Sequence, residues 1–582
     1  MATIESDQGS NTPHPGSRPS NVGGLLLARA GDLRPGLVFE DRVWTWDDHV
    51  RESVARAEWL ASMRVDGPFH IGVLLANVPD FAFLLGAAAL SGAVIVGLNP
   101  TRRGSELAAD VARTDCQLIV TDGQHLPMLE GLELPIGRDR IVDIDAAAYR
   151  DAIDAHRGTP VPATSDADPG DLMMLIFTSG TSGTPKAVRV THRKIMWPAL
   201  WYVDSGLMTA DDNVYVSMPM FHSACVMAAW APCVATGATM SLRRRFSASG
   251  FLPDVRRLGV TYFHYVGKPL SYILATPQAP DDHNNPLRLA NGNEAAEADI
   301  ARFAERFGCT VIDAFGSTEG GVAVTRSSDT PQGSLGPLPA NTAILDPDTG
   351  EPVATAVFDS SGRLTNPEAA IGELVNTTGA GAFEGYYNDI DADEDRMRGG
   401  MYWSGDLAYR DVDGFVYFAG RSIEWLRVDG ENFTAAPVER VLSRHAPVAL
   451  IAVYAVPGVD VGDEVMATIV VHDGSSFDPQ RFTGFLVEQG DFGTKWVPRF
   501  VRVTRELPQT ATNKVQKRVL ASEAWLTDDP VWWLPDRRPP HHYELMSPDD
   551  KTSLAEVLRG NGRGHLLHSI TAPSSGQKDA SQ

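Results

Sequence analysis

Eight short runs of aliphatic, β-branched and aromatic residues recur through the first part of the chain: IGVLLAN (71–77), AVIVGL (93–98), QLIVT (117–121), LMMLIF (172–177), NVYVSM (213–218), ATMSL (238–242), VTYFHYV (260–266) and CTVIDAF (309–315). Helix-length stretches such as TWDDHVRESVARAEWLASM fall between them. Few architectures satisfy that alternation. Parallel strands each need a crossover, and a helix is the compact way to make one. The expectation is an α/β fold built on largely parallel sheets, and no solenoid-like repeat competes with it. One run could pass for a membrane span: FAFLLGAAALSGAVIVGL, Phe81–Leu98, is 18 residues without a charge. Pro79-Asp80 suits a helix start and Ser91-Gly92 a stop, so the run reads as a helix followed by a buried strand.

After about residue 345 the pattern becomes turn-rich and strand-rich, with DPDTGEP, FDSSGRL and YWSGDLAYRDVDGFVYFAG, where Asp413-Gly414 marks a hairpin turn. GRSIEW (420–425) reads as a hinge. The expected organisation is multi-domain: a disordered arm over 1–21, then a large N-terminal domain of mixed α/β layers over 22–420 whose β-rich portion is about 345–420. A hinge at 421–425, a small mobile α+β domain over 426–545 and a partly disordered tail over 546–582 complete it.

With 582 residues the chain can bury a sizeable core, and a net charge of −24 argues against nucleic acid and against electrostatic adhesion to anionic lipid. Cys116, Cys225, Cys233 and Cys309 lie far apart without metal-ligand spacing, which favours a reduced, cytoplasmic setting. The start, MATIESDQGSNTPHPGSRPS, lacks the apolar core of a signal peptide.

The segment FTSGTSGTPK, Phe177–Lys186, puts five hydroxyl side chains, two glycines and a closing lysine between two strand-like runs. Backbone N–H groups and hydroxyls of such a loop can converge on an anion, and the ammonium adds a point charge. The pattern suits a polyphosphate cradle, although Pro185 and Ala187 flank Lys186 where a Walker A loop needs Gly and Ser/Thr. A flexible surface loop is the plainer alternative. Lysine is rare in this chain, 8 against 42 arginines, so Lys186, and Lys514 with Lys517 in LPQTATNKVQKRVL, stand out.

FTSGTSGTPKAVRVTH resembles the phosphate-loop signature of adenylate-forming enzymes: acyl-CoA synthetases, peptide-synthetase adenylation domains and luciferases. The resemblance continues in order through FGSTEGG (315–321), YWSGDLAYRDVDGFVYFAGR (402–421), GENF (430–433) and PQTATNK (508–514), over roughly residues 22–535. PMFHSA (219–224), LRRRFSASGF (242–251), YVGKPLSYIL (265–274), NGNEA (291–295) and GEN followed by PVERVL resemble the fatty acid transport protein/very-long-chain acyl-CoA synthetase branch.

That resemblance implies a two-step ligase in which a carboxylate attacks the α-phosphate of ATP, pyrophosphate leaves, and CoA then takes the acyl group. By the same resemblance Thr178, Ser179, Gly180, Thr181, Ser182, Gly183, Thr184 and Lys186 would cradle the phosphates. Asn291, Gly292, Asn293 and Glu294 would line the adenine pocket. Asp313, Ala314, Phe315, Gly316 and Ser317 would hold the adenylate, with Phe315 stacking on adenine in place of the usual Tyr. Thr318 would touch the α-phosphate, and Glu319, with Thr181, would hold Mg²⁺. Asp406 would accept the ribose hydroxyls, and Arg421 would reach ribose or phosphate. His222 would gate the acyl tunnel, which Phe221, Val266 and Gly267 would border. Lys514 would swing in with the small domain to bridge carboxylate and α-phosphate. Each assignment has a plainer counterpart: a helix cap for Thr318-Glu319, a turn for NGNEA, a packed histidine at 222, structural Asp406 and Arg421, and a solvated lysine at 514. Two departures from the pattern are Ile423 at the hinge, commonly Asp or Lys, and Asn513 where Gly is common.

The expected substrates are ATP, a fatty or other apolar carboxylic acid and CoA, with Mg²⁺ as cofactor and no nucleic acid. A cytoplasmic enzyme with at most peripheral contact at the inner face of the membrane is implied, with room for a homodimer. Two alternatives stay open: a fatty acyl-AMP ligase that hands its product to a carrier protein, and a fatty-acid uptake or binding protein.

Overall fold

The computed structural model describes residues 18–178, 185–295, 297–326, 329–360, 364–421, 425–428, 431–459, 463–489, 492–493, 495–510, 514–536 and 541–560. The expected arm up to residue 17, the loop residues Ser179, Gly180, Thr181, Ser182, Gly183 and Thr184, the hinge residues 422–424, Asn513 and the tail from 561 lie outside the described residues.

Two large sheets form the body of the N-terminal part. One runs in the order Ile141–Asp143, Cys116–Thr121, His70–Leu74, Val94–Gly97, Leu172–Thr178, Lys186–Thr191. Its strands are parallel except the last, which returns as an antiparallel hairpin partner. The other has a parallel core of Pro35–Phe39, Thr239–Leu242, Asn213–Val216, Tyr262–Val266, Leu289–Asn293 and Thr310–Gly316, with antiparallel Arg42–Thr45 and Ala323–Val324 at its edges. Strands such as His70–Leu74 are buried along their whole length, which is why they read as unbroken apolar runs.

The uncharged run is a helix, Pro79–Ser91, that stops at Gly92 in the left-handed region (φ 71°), followed by the strand Val94–Gly97. Its one acidic residue, Asp80, meets the Arg56 guanidinium at 2.6 Å and the Tyr149 hydroxyl at 3.0 Å. Among the described residues no helix is long and apolar enough to cross a membrane.

The neighbouring helix Trp46–Ser62 starts on a reciprocal cap, with the Asp48 N–H donating to Thr45 Oγ1 at 3.0 Å and the Thr45 N–H to Asp48 Oδ2 at 2.8 Å. It carries a fully buried histidine, His49, wedged between Trp46 and Phe83 with neither ring nitrogen hydrogen-bonded among the described residues. Burial, helped by the nearby Arg56 charge, lowers its pKa to about 3. The folded value lies below the unfolded one, so unfolding takes up a proton, and stability present above the ordinary value of 6.5 drains away as pH falls toward 3. His49→Phe is expected to raise stability by about 1–3 kcal/mol, by removing an unpaired polar ring, and to flatten that acid slope. Urea midpoints at neutral and mildly acidic pH check both effects.

One strand is not legible as such in the sequence. Leu289–Asn293, LANGN, inserts between Tyr262–Val266 and Thr310–Gly316 although Asn and Gly disfavour strands. Gly292 is required by contact, because a Cβ there would lie 2.1 Å from the Tyr265 carbonyl oxygen.

The β-rich portion follows as a mainly antiparallel sheet in which Met401–Arg410 and Phe415–Arg421 form a hairpin closed through Asp411 and Gly414. The C-terminal part has its own sheet of Val448–Pro457, Asp463–Val471, Phe500–Val503, Val531–Trp533 and Glu544–Leu545. Its packing continues past residue 545, where the sequence reading placed the domain's end. The helix Pro548–Gly560 buries Leu554, Ala555 and Leu558 in one cluster with Leu507, Leu520 and Trp525.

Candidate active site

The hairpin Leu172–Thr178/Lys186–Thr191 sets Thr178 directly opposite Lys186, so the chain leaves and re-enters the sheet at the two residues that flank the hydroxyl-rich loop. The Thr178 side chain reaches the Glu319 carboxylate, and that of Lys186 reaches the ring of Tyr386, which bonds the same carboxylate. Thr178 Oγ1 donates to Glu319 Oε1 at 3.1 Å, and the Tyr386 hydroxyl donates to the same oxygen at 3.1 Å. Lys186, 8% exposed, holds its ammonium 5.3 Å from the centre of the Tyr386 ring. Arg396 Nε donates to the Tyr386 oxygen at 3.3 Å. Burial pushes the Glu319 carboxyl up, but the Arg396 charge and the bonds from Thr178 and Tyr386 outweigh it and hold the group below its ordinary range. Glu319 is therefore an anion at neutral pH inside a nearly closed site.

The bonds from Thr178 and Tyr386 both fall on Oε1 of Glu319. Among the described residues no cluster of three or more His, Cys, Asp or Glu could hold a metal by itself. A single anionic carboxylate fits a Mg²⁺ whose other ligands are phosphate oxygens and water.

Thr318 Oγ1 lies 2.7 Å from Ser223 Oγ, which ties the FGSTEGG segment to PMFHSA. That second segment is clamped from the first sheet by Asn77. Its amide donates to the Met218 carbonyl at 2.8 Å, and its oxygen accepts from the Met220 N–H at 2.9 Å. His222 caps the turn Ser223–Cys225, Nδ1 accepting from the Ala224 N–H at 3.2 Å. Burial and the Lys514 charge lower its pKa to about 3, so the ring stays neutral, with Nδ1 an acceptor and Nε2 carrying the proton.

Lys514 comes from the C-terminal part, on a tight loop where the Thr510 N–H donates to the Lys514 carbonyl at 2.8 Å. Its ammonium meets Glu294 Oε1 at 2.6 Å, across 220 residues of sequence. Glu294 follows the strand Leu289–Asn293 with φ 65°.

The remaining expected residues divide. Asn293 Nδ2 donates to the Ala314 carbonyl at 3.0 Å, locking the two strand ends that lead to the site. Phe315 sits 5.9 Å from Phe418, two partly exposed rings tilted at 45° to each other. Ser317 Oγ accepts from the Gly320 N–H at 3.3 Å. Gly316 is exposed at the strand end. Asp313 takes the Tyr265 hydroxyl at 2.9 Å and the Ala295 N–H at 3.0 Å, and burial raises its pKa to about 7. Asp406, buried, pairs in backbone register with Arg421. Phe221 and Val266 are buried, and Gly267 turns with φ 76° while its N–H meets the Asn293 carbonyl at 2.9 Å.

Asn291 is the correction. Its amide is buried and donates to the hydroxyls of Tyr202 at 2.7 Å and Tyr262 at 2.9 Å, so it braces the interior between the sheets and is not presented at an adenine pocket. The alternation of the strand explains it, because Asn291 points into the core that Tyr262 joins.

Sequence reasoning missed Lys194, Tyr386, Arg396 and Asn77. Lys194 Nζ donates to the Glu319 carbonyl at 2.9 Å, and burial lowers its pKa to about 8 despite Glu384 and Glu319 nearby. The scarcity of lysine was the available signal for it.

Comparison with known proteins identifies the family. Residues 28–387 match the family model of the AMP-binding enzyme, and 437–514 that of the AMP-binding enzyme C-terminal domain. The chain is 48% identical over 550 residues to the steroid-22-oyl-CoA synthetase of Rhodococcus jostii (strain RHA1), covering 94% of this chain and 99% of that one. It is 52% identical over 510 residues to the medium/long-chain-fatty-acid–CoA ligase FadD17 of Mycobacterium tuberculosis, covering 87% and 97%. The fold matches the crystal structure of the anthranilate CoA ligase AuaEII in complex with anthranoyl-AMP at TM-score 0.74 and 22% identity, covering 87% of this chain and 97% of that one. With its large α/β part, its smaller C-terminal part and both family models in order, this chain belongs to the AMP-binding, adenylate-forming enzymes.

Proposed function

We propose that the protein is an ATP-dependent acid–thiol ligase that joins a medium- to long-chain, or comparably bulky, apolar carboxylic acid to CoA. The observation that carries the reading is the knot in which Thr178 and Tyr386 hold one oxygen of an ionised, buried Glu319 beside Lys186. The names of both curated relatives, a steroid-22-oyl-CoA synthetase and a fatty-acid–CoA ligase matched over nearly their whole length, support the choice of acceptor.

In the first step a carboxylate oxygen attacks the α-phosphorus, the bond to the bridging oxygen breaks, and pyrophosphate leaves. Both reactants are anions, so the site must offset charge and hold the attack in line. Lys186 and the hydroxyls and N–H groups of the adjoining loop would take the β- and γ-phosphates. A magnesium ion held by Glu319, with Thr181 beside it, would neutralise charge on the phosphate oxygens. Thr318, fixed by Ser223, would donate to the α-phosphate. Lys514 would leave Glu294 to bridge the carboxylate and the α-phosphate. Phe315 would stack on adenine, and Asp406 would accept the ribose hydroxyls. In the second step the CoA sulfur, losing its proton, attacks the acyl carbon and AMP leaves, after the C-terminal domain has turned on its hinge near 421–425. A neutral His222 would close the passage between acyl cavity and nucleotide without bringing a charge into either.

An ATP- and CoA-consuming ligase with four buried thiols and no membrane-spanning helix among the described residues suits the cytoplasm. Pyrophosphate release from ATP, measured across a panel of acids with and without CoA, tests the reading. Release with steady turnover only when CoA is present is expected. Undiminished turnover without CoA, with acyl transfer to a carrier protein, would instead identify an acyl-AMP ligase.

A further inference from the structure

Thr178 and Tyr386 set the carboxylate of Glu319, but the backbone that carries it is held from elsewhere. Residues 317–320 form a bend past the end of the strand Thr310–Gly316. Gly320 sits in it with φ 73°, and a glycine adopts negative φ about as readily as positive. The Glu319–Gly320 peptide plane can therefore rotate there against little steric resistance. Thr178 and Tyr386 bond the far end of the Glu319 side chain, so a turn of that plane would pull the carboxylate off the geometry they set.

Both ends of the plane are pinned. The Gly320 N–H donates to Ser317 Oγ at 3.3 Å, and the Glu319 carbonyl accepts from Lys194 Nζ at 2.9 Å. The first bond moves with the bend, whereas the second ties the plane to a separate element, the helix His192–Ser205. The start of that helix is itself locked. The Lys194 N–H donates to the capping Thr191 Oγ1 at 3.3 Å, and that hydroxyl donates to Glu384 Oε1 at 2.8 Å. Lys194 is 7% exposed, and its ammonium also reaches the Arg189 carbonyl at 3.5 Å. A neutral side chain could donate to a carbonyl too, and a cation in the first turn works against the helix dipole. What the ammonium adds here is attraction to the carboxylates of Glu319 and Glu384, both close enough to favour its charged form.

Resting on the ligase reading above, we infer that Lys194 is a positioning residue for adenylation, one that holds the Glu319–Gly320 peptide so that Glu319 keeps its carboxylate turned to a magnesium-bound nucleotide. Its action runs through Glu319. That separates it from a lysine that merely joins a helix to a neighbouring loop, whose loss would weaken every activity of the protein alike.

The test titrates ATP into the wild-type protein, Lys194→Met and Lys194→Gln, with magnesium and with EDTA, and follows both half-reactions. Groups that orient a metal-holding side chain are typically worth about 10–100-fold in metal affinity or activity. Lys194→Met should lose about tenfold or more of the gain in ATP affinity that magnesium brings, and as much acid-dependent pyrophosphate release. Its ATP affinity in EDTA, and thioester formation from supplied acyl-adenylate, should stay within about twofold, since neither needs the positioned carboxylate. Lys194→Gln keeps a donor, so it should fall between, and it carries the comparison if Lys194→Met fails to fold. Added to Glu319→Gln, Lys194→Met should lower pyrophosphate release by less than about threefold more, because the group it positions is already disabled. A folded variant with wild-type magnesium dependence, an equal loss in EDTA, a wild type whose ATP affinity ignores magnesium, or losses that multiply in the double variant would overturn the inference and leave the ligase reading in place. No pyrophosphate from any acid in the wild-type enzyme would sink that reading and this one together.

Discussion

Lys514→Ala is expected to remove acid-dependent ATP–pyrophosphate exchange while the variant still converts supplied acyl-adenylate and CoA into thioester. The loss in the first half-reaction should reach about 10²–10³-fold or more, the scale seen when a charge-stabilising donor is removed from a preorganised site. Stability should hardly change. Lys514 and Glu294 meet at 2.6 Å, but their side chains are 35% and 46% exposed, and pairs of that kind contribute ~0–1 kcal/mol. A melting temperature near wild type therefore separates a lost chemical role from a lost fold. Equal loss of both half-reactions in a folded variant would contradict the role given to this lysine.

Glu319→Gln is expected to be as damaging, for a different reason. Glutamine keeps the acceptor oxygen that Thr178 and Tyr386 bond, so the local geometry has little cause to collapse. It removes the charge that offsets Arg396 and that would hold Mg²⁺. The predicted result is a fall in adenylation of about 10²–10³-fold with a steeper demand for magnesium, plus a stability loss of about 1–3 kcal/mol. The sign of the pH dependence follows from the depressed folded pKa. The carboxylate contributes stability above its ordinary value of 4.5 and loses it as pH falls through the lower folded value. The stability gap between variant and wild type should thus be full at neutral pH and vanish in strong acid. A gap independent of pH would mean that packing, and not charge, is what Glu319 supplies.

Much of this architecture is legible in the chain itself, where local signals agree with tertiary need. The apolar strand runs, the Gly92 stop and the Asp411–Gly414 turn each carry their instructions within a few residues. Leu289–Asn293 does not, because its strand character is imposed by neighbours on both edges and its glycine by the Tyr265 backbone. The site divides in the same way. Thr178, Lys186, Thr318 and Glu319 sit in compositionally unusual segments. Tyr386 and Arg396 join them only through contacts that span 67 residues and 10 residues, respectively, from unremarkable surroundings. Asn77, 141 residues from the segment it clamps, leaves no mark at all in its own stretch. For Asn291, position in a motif suggested a ligand contact that the alternation of a central strand redirects into the interior.

The helix Pro548–Gly560 gives the lysine-bearing loop its footing. Lys514 is flanked by Leu507 on one side and Leu520 on the other, and both stand on the cluster that this helix roofs over, with Trp525 stacked on Phe500 at 4.8 Å beneath it. A chain trimmed after Leu545 would retain each recognisable signature yet expose Trp525 and undermine the platform from which the lysine is aimed. Its defect would surface as slow, poorly committed adenylation in an enzyme whose nucleotide cradle is untouched.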